Sequence, residues 1–322
     1  MSHAIDRQQA LFQAAEAARY APSVHNTQPW RWVVSADRLE LFAAAERQLH
    51  TQDPDGHMLQ LSCGSALHHA RLALAAEGWQ HEVERLADSP LAVIRPTRHE
   101  PARPEAARHF QTLHVRHTDR RTVSDEPVST DTVEAFIHAV EREGARLHLL
   151  NRDEVIELAV LVEHAQRAQA TDVRLQAETA TWVGGERADN AGVPSSVLPA
   201  EQPRTTVAER DFGTSGTLRA GEGHDTAATY AVLYGSGDEP ADWLRAGEAL
   251  SALWLTAIER SVGVLPNSSP VEVPFTRHEL RRLIGDLGFP YLVLRLGTFG
   301  SEHAGPGRTP RLPVEQIIEV RS

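Results

Sequence analysis

The chain has 322 residues, 41% hydrophobic and 24% charged, with a formal net charge of −12. That length holds two domains or one large one with a sizeable core, and the acidic balance argues against a nucleic-acid binder, although a local arginine cluster can still hold an anion because distant charge is screened within ~8–10 Å. All 32 cationic residues are Arg, which excludes a lysine Schiff base and a P-loop lysine and leaves any phosphate to guanidinium, hydroxyl and backbone N–H groups.

Residues 4–19 set Ile5, Leu11, Phe12, Ala15 and Ala18 at helical spacing. The run APSVHNTQPW (21–30) follows. Packing alone seldom gathers so many amide and hydroxyl groups, whereas a loop wrapping a flat, polar-edged ligand needs them. Strands are predicted over 31–35 and 39–43, a strongly apolar helix over 61–78 stopped by Gly78, and a strand over 91–95. RHTDRR (116–121) alternates Arg116, Thr118 and Arg120, which share one side if the segment is extended. It reads either as a phosphate site or as a solvated basic patch. A helix over 130–144 carries Val133, Phe136, Ile137 and Val140 on one face, followed by a strand over 147–150 and a helix over 153–169.

Between 171 and 225 the periodicity fails, broken by Gly184, Gly185, Gly192, Pro194, Pro199, Pro203, Gly213, Gly216, Gly221 and Gly223. So long an irregular stretch is either a functional lid or disordered, and the apolar anchors Trp182, Val193, Val197 and Leu198 favour a lid. A strand over 229–234 and a long apolar helix over 242–262 come next. In GVLPNSSPVEV (263–273), the loop of Pro266, Asn267, Ser268 and Ser269 either brings N–H groups to a ligand edge or simply turns the chain. A strand over 291–296 precedes GRTPRLPVEQII (307–318), in which Arg308 and Arg311 sit beside stiffening prolines. That segment is a ligand-binding arm or a polar tail. The order of elements in the first part recurs in the second, and the two apolar helices share Gly64-Ser-Ala-Leu67 and Gly247-Glu-Ala-Leu250. We read this as an internal duplication.

APSVHNTQPW resembles the Pro-Ser-x-x-Asn-x-Gln-Pro-Trp motif of the FMN-dependent nitroreductase family, and RHTDR resembles that family's Arg-x-Ser-x-Arg segment. The C-terminal order of apolar helix, Pro-containing loop, strand and Arg311-Leu-Pro313 is similar to the family's as well. Here the Arg motif opens the second half and the Asn motif lies in the first, so each half keeps what the other lacks. With DPDG (53–56) and SCGSAL (62–67), this resembles the Acg-like branch, whose chains hold tandem nitroreductase-like halves. The resemblance implies an α+β, nitroreductase-like fold with halves at 1–110 and 111–322 forming an intrachain pseudo-dimer, a lid-like insert at 171–225, and one FMN per chain. It implies that Arg116, His117, Thr118 and Arg120 hold the phosphate and neighbouring ring edge. Pro22, Ser23, Val24 and Asn26 would contact the isoalloxazine, with Gln28 and Trp30 anchoring their loop. Ser268 and Ser269 would lie near its N5 edge, and Arg311 with Arg308 would complete the phosphate site. Two departures stand out: Thr122 replaces the usual aromatic after the Arg motif, and Ser268 stands where Glu is frequent. The implied activity is an NAD(P)H oxidoreductase passing electrons through FMN to a nitroaromatic or quinone. The alternative is an FMN-sequestering protein whose lid limits turnover. No side chain is assigned as a catalytic acid or base. A monomeric pseudo-dimer or a homodimer is implied.

Other signals are discounted. His109, His114 and His117, and the pair His68 and His69, lack a second cluster, so no metal site is expected. Cys63, alone on an apolar helix, reads as an inert core thiol. The glycines of 213–223 do not follow a strand and open a helix, which argues against a Rossmann site. No apolar run reaches the ~18 residues of a membrane helix, the opening MSHAIDRQQA is too polar for a signal peptide, and one cysteine suits a reducing cytoplasm.

Overall fold

The computed structural model describes residues 2–185, 187–219, 221, 224–299 and 307–321, with side chains from residue 7 onward. Gly223 and the side chain of Ile5 lie outside the described residues. Helix α1 (Ser2–Ala18) buries Ala10, Leu11, Ala14, Ala15 and Ala18. Strands β1 (Trp30–Val34) and β2 (Leu39–Ala43) form a hairpin, followed by α2 (His57–Ala76), β3 (Trp79–Arg85), β4 (Ala92–His99) and α3 (Pro104–Leu113). The second part runs α4 (Thr130–Arg142), β5 (Arg146–Leu149), α5 (Arg152–Thr171), α6 (Val173–Trp182), β6 (Thr229–Gly235), α7 (Pro240–Glu259), β7 (Val262–Asn267), α8 (Ser269–Glu272), α9 (Pro274–Leu283) and β8 (Phe289–Thr298). It ends with α10 (Val314–Ile317) and β9 (Ile318–Val320).

The fold class is α+β. Two sheets form, ordered β3-β4-β2-β1-β9 and β5-β6-β8-β7. Read from the other edge, the second is β7-β8-β6-β5, which repeats β3-β4-β2-β1 strand for strand. The repeat extends to the helices: α1 and α4 open the two parts, and α2 and α7 each connect the second strand to the third. Two differences mark the second part. A turn of four residues joins β1 to β2 (Ser35 N–H to Arg38 O, 2.9 Å), whereas α5, α6 and the irregular segment intervene between β5 and β6. The chain's C-terminal strand β9 pairs with β1, in parallel, so a division at 110/111 does not partition the sheets.

The sheets are held together by α2 against α7. Gly64 and Gly247 make the crossing possible. A Cβ on Gly64 would lie 1.9 Å from the Leu244 carbonyl oxygen, and one on Gly247 would lie 1.9 Å from that of Leu61. The shared four-residue signature therefore marks a symmetric contact of the two backbones. Ser65 Oγ donates to Gly247 O (2.9 Å), and His68 Nδ1 meets Ser251 Oγ (2.9 Å) across the same seam. Trp243 and Trp254 of α7 are buried to 1% exposure or less, and removing such a side chain costs ~3–5 kcal/mol.

Several elements escape the apolar pattern. β3 is an edge strand with alternate residues facing solvent, and α9 is polar except along Leu280 and the adjoining Ile284. α3 buries only Thr112 and Leu113. The stretch expected as a loop after α7 begins with β7, which tolerates Pro266 because it is an edge strand with no ladder bond owed on its outer side. The irregular segment contains α6, capped by Asp172. Its expected anchors Val193, Val197 and Leu198 join Val183 in a small apolar cluster against Trp182 and Phe212.

Candidate functional site

A cleft with a cavity volume of about 150 Å³ is lined by residues from both parts of the chain. Ten of the twelve expected site residues line it: Pro22, Ser23, Val24, Asn26, Arg116, His117, Thr118, Arg120, Ser268 and Arg311. Ser269 lies behind the wall, fully buried with its hydroxyl unpartnered. Arg308 is exposed and outside the lining.

The first wall is the loop after α1. His25, Asn26 and Gln28 have φ of +49°, +53° and +52°, a conformation costing roughly 1–2 kcal/mol for each L-residue and concentrated at functional sites. The surroundings hold it there. Gln28, wholly buried, accepts from Leu312 N–H (2.9 Å) and donates to Asn190 O (3.1 Å), while its own N–H donates to Ser23 Oγ (2.9 Å). Trp30 is 1% exposed. Both therefore anchor the loop. Asn26 donates to Gly192 O (2.9 Å) and Pro310 O (3.0 Å), and its Oδ1 accepts from Arg311 (3.0 Å). Both of its amide hydrogens are thus engaged by protein, and it braces the arginine rather than leaving a free amide for a ligand.

The cationic end comes from the segment after α3 and from the arm after β8. Arg116 and Arg311 each point a guanidinium Nη2 at the carbonyl oxygen of Tyr20, at 3.4 Å. Arg116 lies over the Trp254 ring, 4.6 Å from its centre, and is 5% exposed. Both Nε atoms are buried without a partner among the described residues. Neither arginine forms an ion pair with a carboxylate among the described residues. Burial, then the charge of Arg311, pulls Arg116 down to about 9; burial likewise pulls Arg311 down to about 10. Two buried cations side by side are unfavourable alone and are offset by an anion. Arg120 belongs to a different neighbourhood. It donates to Val197 O (3.4 Å) and its guanidinium lies 5.9 Å from the Phe212 ring. The expected single-sided row of Arg116, Thr118 and Arg120 thus opens into one cleft at two places. His117 and Asp119 interact at 3.6 Å, and Asp119 is held to about 2, burial being outweighed by the hydrogen bonds of Arg121 and His117.

The segment 193–212 supplies a wall that no sequence motif signalled. Val193, Val197, Val207, Glu209, Arg210 and Phe212 all line the cleft. Phe212 packs edge-on to His25, ring centres 5.6 Å apart. His25 meets Gln52 (2.7 Å), Gln52 donates to Glu272 (2.7 Å), and Glu272 is ion-paired with Arg210 (2.8 Å). This chain of contacts ties the segment to the strained loop and to the turn carrying Ser268. Burial pulls His25 down to about 3, so the ring is neutral near pH 7. Trp254, Tyr230 and Arg295 complete the lining from α7, β6 and β8; in the sequence each reads as ordinary core. Cys63 is buried, its thiol pushed well above its usual range by burial. No described helix is long and apolar enough to cross a membrane.

Comparison with known proteins gives a consistent set. No family profile matches the chain. A Mycobacterium tuberculosis H37Rv protein provisionally named as an NAD(P)H nitroreductase is 34% identical over 310 residues, covering 93% of this chain and 88% of its own. A second, provisionally named NAD(P)H nitroreductase acg, is 32% identical over 319 residues, covering 96% and 95%. Among solved structures, a Bacteroides fragilis nitroreductase with bound FMN matches with a TM-score of 0.39 at 13% identity, over 62% of this chain and 93% of that one. The FMN- and NADPH-dependent nitroreductase NfnB from Sphigopyxis sp. strain HMH matches with a TM-score of 0.41 at 14% identity, over 66% and 99%.

Proposed function

The chain belongs to the nitroreductase family, and from that premise we propose that it is an NAD(P)H oxidoreductase holding one FMN per chain in the cleft. The observation that carries this reading is the pair of buried Arg116 and half-buried Arg311, convergent on the Tyr20 carbonyl and without a carboxylate partner among the described residues. A phosphate monoester supplies the missing negative charge and acceptors for the unpartnered Nε groups. The remaining lining suits a flat ring system. Val24, Leu61, Leu250, Trp254, Leu265 and Leu292 are apolar, with Ser268 and Thr118 at the edges. Arg120 provides positive charge away from the phosphate end, where it favours an anionic reduced ring. Bound there, FMN supplies two-electron chemistry, taking hydride from NAD(P)H and passing electrons to an acceptor such as a nitroaromatic or quinone.

The repeated strand order and the Gly64–Gly247 crossing support two nitroreductase-like halves, 1–110 and 111–322, folded as a pseudo-dimer within one chain, with 171–225 as a cover. An absorbance scan with flavin quantification tests the reading. One flavin per chain is expected; protein that stays colourless with added FMN overturns it.

A second reading, an FMN-sequestering protein, draws on the cover. Phe212, Glu209 and Arg210 stand in the cleft wall, and the Asn26–Gly192 and Arg210–Glu272 bonds hold their segment down. Anaerobic NADPH added to the FMN-loaded protein separates the two. Prompt flavin bleaching fits the oxidoreductase, and bleaching over hours fits sequestration.

A further inference from the structure

Glu209 is a carboxylate in the cleft wall that takes no part in the phosphate end. Its side chain is 7% exposed and lines the cleft. Oε1 accepts from Arg295 Nη1 at 2.7 Å, and that same nitrogen donates to Asp225 at 2.7 Å. Two carboxylates therefore share one N–H-bearing nitrogen. They are not equivalent. Asp225 also accepts the Val123 N–H (2.6 Å), whereas Oε2 of Glu209 has no hydrogen-bond partner among the described residues. Beside them on β6, Tyr230 is 4% exposed, and its hydroxyl lies by the Val207 backbone with no close hydrogen bond among the described residues. A phenol on the cleft wall without a strong partner keeps capacity to bond a ligand oxygen once a side-chain shift exposes it. The charged groups around Glu209 are Arg295 from β8, Arg120 and Asp119 from the segment after α3, and Asp225; Arg210, next in the chain, is neutralised by Glu272. Gln166 of α5 donates to the Glu209 carbonyl (2.9 Å) and fixes the segment.

Resting on the reading above, we infer that Glu209 is the proton donor to a quinone reduced in this cleft, with the Tyr230 hydroxyl bonding the quinone oxygen. Quinone reduction takes a hydride equivalent and a proton. NAD(P)H gives the hydride equivalent and becomes NAD(P)+. The Glu209 O–H bond breaks, an O–H bond forms on the quinone oxygen, and the carboxylate, paired with Arg295, regains a proton from water. The net change is NAD(P)H, quinone and one proton to NAD(P)+ and hydroquinone. Burial, outweighing Arg295 and Arg120, raises Glu209 to about 7, so the acid form is present at and below neutrality, in the range an effective general acid needs.

The test uses Glu209→Gln, which keeps an oxygen for Arg295, with NADPH as donor and 2-methyl-1,4-naphthoquinone as acceptor. FMN content and the rate of NADPH bleaching are measured in both proteins, and the quinone rate is referred to the flavin each one holds. The variant's reoxidation by the quinone should slow by ~10²-fold and lose the decline that wild type shows as pH rises through about 7. In flavin-free protein, the wild-type minus variant infrared spectrum should contain a protonated-carboxyl band that vanishes over the same pH range. Identical pH profiles in both proteins, or no such band, overturns the proposal. Should the variant fail to accumulate, a wild-type quinone rate that is flat across neutrality does the same. A wild type that binds no flavin sinks the function itself, while the infrared band still reports on Glu209, so the two failures are distinct.

Discussion

Replacing Gly64 by Ala probes the crossing on which both halves of the cleft depend. By helix propensity alone the change stabilises by ~1 kcal/mol. At this crossing the new methyl carbon would lie 1.9 Å from the Leu244 carbonyl oxygen, whereas ordinary contact begins near 3.4 Å, so the helices must part by about 1.5 Å. The obstacle is backbone on both sides, and no rotamer change relieves it. Overpacking of this kind costs ~1–3 kcal/mol where side chains can yield, and more where they cannot. With the overpacking cost at or above ~3 kcal/mol and the propensity gain ~1, the net loss expected is at least ~2 kcal/mol, or several degrees in Tm for a chain of this size. Because Leu61 of α2 and Leu250 and Trp254 of α7 line the cleft, FMN affinity should fall with it. Urea unfolding followed by tryptophan fluorescence measures the first effect and a flavin titration the second. Gly247→Ala should behave alike, and the double variant should lose less than the sum, since the gap opened by one methyl accommodates the other. A Gly64→Ala protein as stable as wild type, or strict additivity, would refute the close approach.

Arg116→Ala combined with Arg311→Ala should lower FMN affinity at least tenfold, because charge-assisted bonds worth ~1.5–3 kcal/mol each are lost. The same pair of changes should lower the flavin-free Tm less than the FMN-loaded Tm, since it removes two cations lacking a carboxylate but also the Arg311 bonds to Asn26, Thr309 and Pro310; differential scanning fluorimetry with and without FMN reads both. Burial holds His68 down to about 4, against the pull of Glu143. The unfolded imidazole takes its proton near 6.5, so this group's share of stability is present above that value and is lost as pH falls toward 4. In His68→Gln, urea midpoints compared at neutral and mildly acid pH should show a shallower acid decline than wild type. Glu272→Gln leaves Arg210 without its carboxylate and weakens the ties of Gln52 and Gln169. Breaking such a buried pair costs ~3–5 kcal/mol, and limited proteolysis should then cut first within 171–225.

What the sequence made legible follows from how each feature is encoded. Helices and strands with one apolar face were readable from periodicity, and β2 falls on its expected residues, 39–43. The exposed edge β3 and the polar α9 bury too little apolar surface to announce themselves. The site's loops were readable because motif chemistry is local: a run such as 21–30 keeps its amides whatever surrounds it. The partners of those amides were not. That Asn26 would bond Gly192 and Arg311, that Arg120 would stand apart from Arg116, and that Glu209 and Phe212 would reach the cleft depend on contacts 77 to 285 positions apart. Nothing in the irregular composition of 171–225 predicts which of its residues face inward.

The Asn26–Arg311 bond spans 285 positions, and with it the grip on an anion is deferred to the end of assembly. The hairpin β1–β2 and the pair β3–β4 can form from nearby segments, but the proposed clamp exists only after the chain behind β8 has returned to the first sheet and β9 has aligned with β1. A phosphate-bearing ligand consequently cannot template the early collapse; it acts by mass action on chains already shaped. Scarcity of that ligand in a growing cell would leave a population of finished, empty molecules rather than misfolded ones.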